Sequence, residues 1–187
     1  LMMTNCTVSN NTVGTANAGQ TGGGIYNSST GTLNMTACTV SGNMANQMSS
    51  NGGGILNDNG TMTLLNCTIS GNQANQFGGG ISFSGNSSTI DFCTITDNTA
   101  NNGGGLHTAS GGDGNVSNTI IAGNMNNGSN AAFADIQNRF GSTGHNLIGI
   151  VANNMGYQST DILSTDTNNP INPNLGLGVS VGILVMW

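Results

Sequence analysis

The sequence predicts an all-β fold, a parallel β-solenoid of short stacked coils. Three observations carry that expectation: two unrelated motifs recur in alternation at nearly one period, apolar and polar residues alternate within each unit, and charge is almost absent. The chain of 187 residues is only 35% hydrophobic, yet it has no Lys and no Glu, Arg139 is its single Lys-or-Arg residue, and all seven acids are Asp. A disordered chain of such low hydrophobicity usually carries high charge. Apolar residues at repeating positions in an almost uncharged chain point instead to a folded repeat.

The first motif is a triple glycine followed by an aliphatic residue. It occurs as Gly22-Gly23-Gly24-Ile25, Gly52-Gly53-Gly54-Ile55, Gly78-Gly79-Gly80-Ile81 and Gly103-Gly104-Gly105-Leu106, at spacings of 30, 26 and 25 residues. The second is Cys-Thr-aliphatic-Ser/Thr, seen at Cys6, Cys38, Cys67 and Cys93, with a degenerate fifth copy in Thr119-Ile120-Ile121-Ala122. Its spacings are 32, 29, 26 and 26 residues.

Within one unit, Gly31-Thr32-Leu33-Asn34-Met35-Thr36 alternates with the period of a half-buried strand. Ala37 interrupts the alternation, and Cys38-Thr39-Val40-Ser41 resumes it. Gly42-Asn43 reads as a turn pair, because both residues tolerate positive φ. Gly71-Asn72, Asp97-Asn98 and Gly123-Asn124 repeat it. The triple glycine then leads into a third short strand, as in Ile25-Tyr26-Asn27. Three strands and three bends in so few residues cannot bury an apolar side alone. Stacking does so, each strand pairing with its equivalent one coil away at about 4.8 Å. Leu33, Met35, Cys38, Val40 and Ile55 are then expected inward, over Met62, Leu64, Cys67, Ile69 and Ile81, with Thr39 and Ser41 outward. Gly, Asn and β-branched Thr disfavour helix throughout.

These residues, Gly-Gly-Gly-Ile-Tyr-Asn at 22–27, Gly-Thr-Leu-Asn-Met-Thr at 31–36 and Cys-Thr-Val-Ser-Gly-Asn at 38–43, closely resemble the repeats of bacterial right-handed parallel β-helix proteins. That group is similar to the polymorphic outer-membrane protein repeats and to autotransporter-like surface proteins. The resemblance continues in residues 142–149 and in Asn172-Pro173-Asn174-Leu175-Gly176, whereas the stretch from Leu177 to Trp187 departs from it. It implies a three-sided right-handed parallel β-helix of about five coils over residues 1–125, followed by an irregular terminal coil or tail over 126–187. It also implies a secreted or surface-displayed, adhesin-like scaffold at the bacterial cell surface. Leu1-Met2-Met3-Thr4 matches the middle of a coil, so the chain is expected to be a fragment lacking its export signal and anchor.

The net charge of −6 excludes the broad function classes that need cations. Nucleic-acid phosphates and anionic membrane surfaces both require Lys and Arg. No run of about 18 apolar residues is present to span a bilayer. Nothing in the motifs asks for a cofactor, and unpaired strand edges at the coil ends predict end-to-end self-association.

Catalytic and metal-binding patterns are weak. A polysaccharide hydrolase needs paired carboxylates. Asp58, Asp91, Asp97, Asp113, Asp135, Asp161 and Asp166 occupy different repeat positions, and Asp97 stands where a turn residue is expected. His107 and His145 are far apart and are read as ordinary surface or loop residues. Gly111-Gly112-Asp113-Gly114-Asn115-Val116 lacks the acid a calcium-binding repeat needs at Val116. The cysteines are expected as an internal ladder of free thiols, with disulfides the alternative and no Cys-x-x-Cys to suggest zinc. The triple glycines recur in every coil with no helix after them, so they read as corners or tight backbone packing rather than phosphate loops.

The outward hydroxyls form the candidate surface. Thr7 and Ser9, Thr39 and Ser41, Thr68 and Ser70, and Thr94 and Thr96 should make two parallel files on one flat sheet. Contact with carbohydrate or another cell surface is the function expected of this face, without catalysis. A polysaccharide-active enzyme and an ice-binding protein are the alternatives.

Overall fold

The computed structural model describes residues 1–14, 22–85, 88–109, 114–128, 134–150, 156–164 and 171. Every described regular element is a β-strand, and every strand pairing between elements is parallel. Four sheets result, with six, seven, five and five strands among the described residues. In each sheet, a strand pairs with its equivalents one coil before and one coil after. This is a parallel β-solenoid.

One coil shows the plan. Thr32–Thr36 belongs to the first sheet, Thr39–Ser41 to the second, Met44–Ala45 to the third and Ile55–Asp58 to the fourth. The reading of three strands per unit missed the third-sheet strand, which at two residues is too short to show a periodicity. The register matches the repeat. Leu33 and Met35 lie beside Met62 and Leu64, Val40 beside Ile69, and Ile55 beside Ile81. All the residues expected inward are buried, so the alternating pattern places the core correctly. The sheets also take in strands beyond residue 125, at Ile136–Gln137, Gly141–Gly144, Leu147–Ile148 and Ile162–Leu163.

The bends have a uniform geometry. Asn5, Ala37, Asn66, Phe92, Asn118 and His145 each separate a first-sheet strand from a second-sheet strand, all with φ between 49° and 61°. Ala37 breaks the alternation because it occupies this left-handed position. The next bend places Asn10, Gly42, Gly71, Asp97 and Gly123 in the same region, so Asp97 is a turn residue as its position suggested.

The second half of the Gly-Asn pair needs correction. Asn43, Asn72, Asn98 and Asn124 are buried and do not adopt positive φ. They form a ladder through the solenoid. In each step, the backbone N–H and side-chain amide of one Asn donate to Oδ1 of the next, at 2.9–3.0 Å from Asn11 through Asn43, Asn72 and Asn98 to Asn124. Each side-chain amide from Asn43 onward also donates to a carbonyl one coil back, at Val8, Val40, Ile69 and Ile95. Asp135 terminates the series, accepting from the N–H and amide of Asn124 at Oδ1 and from the Ile150 N–H at Oδ2. Buried polar groups persist in a core only when satisfied, and here the repeat satisfies them coil by coil.

A second column contains the thiols. Cys6, Cys38, Cys67 and Cys93 are all free, and all but Cys6 are buried. Each thiol donates to the carbonyl two residues before it, at 3.2–3.3 Å. The Cys6 N–H contacts Cys38 Sγ, and the Cys67 N–H contacts Cys93 Sγ. Thr119 takes the cysteine's place in the degenerate copy and repeats both contacts through its hydroxyl. The Cys93 thiol is pushed above the usual range by its hydrogen bonding with Cys67 and by burial.

The triple glycines are close-packing points. A Cβ on Gly53 would run into the Gly79 carbonyl and the Gln73 backbone, so the fourth sheet is entered only by a residue with no side chain.

Candidate functional site

Two surfaces carry the polar side chains that could meet a ligand. The first is the outward face of the second sheet. Thr7, Thr39, Thr68 and Thr94 are in register across four coils, and Ser9, Ser41, Ser70 and Thr96 make the parallel file beside them. Thr7 and Thr68 are exposed and the other six half-buried. Because the pairing is parallel and unshifted here, equivalent hydroxyls stand about 4.8 Å apart from coil to coil. Ile120, Leu147 and Ile162 continue the Thr file as an apolar column. The hydroxyl wall therefore ends at the fifth coil.

The second surface was not foreseen. Outward residues of the fourth sheet, normally solvent-facing, are covered: Leu56, Ser82 and His107 are in register and each is 6% exposed or less. The segments preceding the triple glycines lie over them, tied together by bridges from Asn51 to Phe77 and from Phe77 to Asn102. Phe77 stacks on the His107 ring, with centroids 4.4 Å apart and planes 16° apart. A groove of about 180 Å³ remains, lined by Asn51, Leu56, Asp58, Asn59, Ser82, Phe83, Ser84, His107 and Ala109.

His107 is therefore a buried strand residue rather than a surface or loop residue. Burial lowers its pKa to about 4. Its Nδ1 lies 3.0 Å from Ser82 Oγ. The Asn138 amide nitrogen lies 3.4 Å from Nε2, which assigns the ring proton to Nδ1, donating to Ser82. Such an imidazole does not take the serine proton, and a group titrating near pH 4 is a weak base at neutral pH. His145 occupies an exposed bend.

The acids are dispersed. Asp58 lies in the groove, its Oδ1 accepting from Ser84 and Asn59 and its Oδ2 from the Tyr26 hydroxyl. Asp91 is on the outward face of the first sheet, accepting at Oδ1 from Ser117 and Asn118. Asp161 accepts from Ser142 and Asn146. Burial raises Asp135 to about 6, against hydrogen bonds from Asn124 and Ile150 that pull it down. Among the described residues only Asp58 lines the groove, and no cluster of three His, Cys, Asp or Glu is placed to hold a metal ion. Asp113, Asp166 and the first half of the glycine-rich calcium-like stretch lie outside the described residues.

The repeat sequence located the hydroxyl files because they share its period. The groove depends on unequal segments between repeats, and its only sequence trace is that Ser82 and His107 follow their triple glycines at the same offset as Leu56.

No family model, no curated protein and no solved structure matches this chain.

Proposed function

We propose that the protein is a non-enzymatic β-helix scaffold of the secreted or surface-displayed bacterial type, contacting carbohydrate or another cell surface through the Thr/Ser wall of its second sheet. The observation that supports this most is the unbroken register of Thr7, Thr39, Thr68 and Thr94 beside Ser9, Ser41, Ser70 and Thr96. A flat, uncharged array of hydroxyls offers donors and acceptors at a regular spacing, which suits a repeating hydroxylated polymer and holds nothing that would attract phosphate. The dispersed carboxylates and the weakly basic His107 fit binding without turnover.

Incubation with a panel of insoluble polysaccharides, scoring retention and reducing ends in the same sample, tests this. Retention without new reducing ends is expected, and it should weaken in a Thr39→Tyr, Thr68→Tyr variant. Release of reducing ends would overturn the reading. Ice binding is the second reading, favoured by the same in-register Thr files. It requires thermal hysteresis that disappears in that double variant.

A further inference from the structure

We propose that the groove over the fourth sheet is a second binding site, taking one neutral, hydroxyl-rich ring of the size of a monosaccharide. It shares only the ligand class, carbohydrate, with the proposed function, and it lies on a different sheet, so the two readings fail separately.

The groove is a concavity over the fourth sheet, away from the Thr/Ser wall of the second. Three consecutive coils build its floor, with Leu56, Ser82 and His107 as the buried row and Asp58, Ser84 and Ala109 as the half-buried row nearer its mouth. At about 180 Å³ it is smaller than the pockets that enclose drug-sized ligands, which begin at about 300 Å³. One ring fits that space, and a chain does not. An end or branch residue of a glycan is therefore the part that enters.

The lining chemistry selects the ligand. No Lys or Arg is among the lining residues, and Asp58 places a carboxylate there, so an anionic ring is disfavoured. The polar groups are rich in acceptors. Asn51 Oδ1, in that lining, is buried with no donor among the described residues. Burying an acceptor without a donor is unfavourable. A ligand that brings several hydroxyl donors relieves that cost, whereas an apolar ligand leaves it in place. Ser82 and Ser84 can answer as donors or acceptors, and Leu56 supplies apolar surface for the C–H face of a ring. Exposed Tyr26, whose hydroxyl donates to Asp58, extends the same polar edge by one coil.

The two histidines make the site directly readable. The full chain is titrated with the methyl glycosides of glucose, galactose, mannose and N-acetylglucosamine, following the imidazole proton resonances. The expected result is a saturable shift of the His107 signals, with a midpoint of about 1–10 mM for at least one sugar, while His145 stays fixed. Asp58→Asn should raise that midpoint roughly tenfold, and Ala109→Trp, which fills the groove without removing a hydrogen bond, should abolish the shift. Ala109→Trp should leave retention on polysaccharide by the Thr/Ser wall unchanged. His107 signals that stay fixed to about 100 mM across the panel, or that move in step with His145, overturn the proposal.

Discussion

Replacing Asn72 by alanine tests whether the asparagine ladder holds the coils together. The Asn72 side chain takes part in four hydrogen bonds: it accepts from the Asn43 N–H and amide at 3.0 and 2.9 Å, and it donates to Val40 O and Asn98 Oδ1, both at 2.9 Å. Truncation leaves the buried Asn43 N–H without its acceptor and removes the amide donor from Val40 O. Three lost buried bonds at about 1 kcal/mol each, plus one orphaned buried donor at about 1–3 kcal/mol, give a loss of about 4–6 kcal/mol. Asn11, at the exposed end of the ladder, donates only one side-chain bond to Asn43, so Asn11→Ala should cost less than about 1 kcal/mol. Asn72→Asp is the sharper case. It keeps the acceptor for Asn43 but turns a second oxygen toward Val40 O and Asn98 Oδ1, so it should still fall well short of the parent. Asp135 is tolerated at the ladder's end because its second oxygen meets the Ile150 N–H, a donor. Urea unfolding followed by far-UV circular dichroism gives the stability order. Amide exchange at Asn43 gives the local effect, which matters because a solenoid can unfold coil by coil. If Asn72→Ala proved no more costly than Asn11→Ala, or if Asn72→Asp matched the parent, the ladder would not be a stabilising element.

Other consequences can be measured on the same protein. Ala37 sits at φ 53° where Asn5, Asn66 and Asn118 occupy the equivalent bends, so Ala37→Asn should stabilise by about 1 kcal/mol, seen as a higher urea midpoint; a lower midpoint would refute the strain argument. In the native state a thiol reagent should modify Cys6 first, leaving Cys38, Cys67 and Cys93 protected until unfolding; equal rates at all four would contradict the buried column. The pH dependence has two opposed parts. His107 is neutral in the fold down to about pH 4, so acidification from 6.5 to 4 protonates only the unfolded chain and costs on the order of 3 kcal/mol. Asp135 keeps its proton in the fold up to about pH 6, so the unfolded chain alone ionises as pH rises from 4 to 6, and acidification through that window restores a similar amount. Stability should therefore vary little between pH 4 and 6. His107→Gln should gain on acidification and Asp135→Asn should lose; parallel profiles for the two variants would sink this account.

The solenoid, its core and its hydroxyl files were legible in the repeat alone. These follow from one local rule repeated: alternation within a strand decides which side of the sheet a residue faces, and a near-constant period stacks like on like. Leu33 over Met62 and Thr39 beside Thr68 are legible for that reason. The repeat does not encode which polar atoms meet across coils, or how the segments between repeats pack. Asn43 looked like a turn residue because its composition is that of a turn, and it became a ladder rung because Asn72 presents Oδ1 to it. His107 looked like an isolated surface residue, and it was buried because Phe77, from the connecting segment of the coil before, lies across its ring. The segments between repeats differ in length, so no period encodes how they fold over the fourth sheet, and the groove they leave is a property of their packing alone.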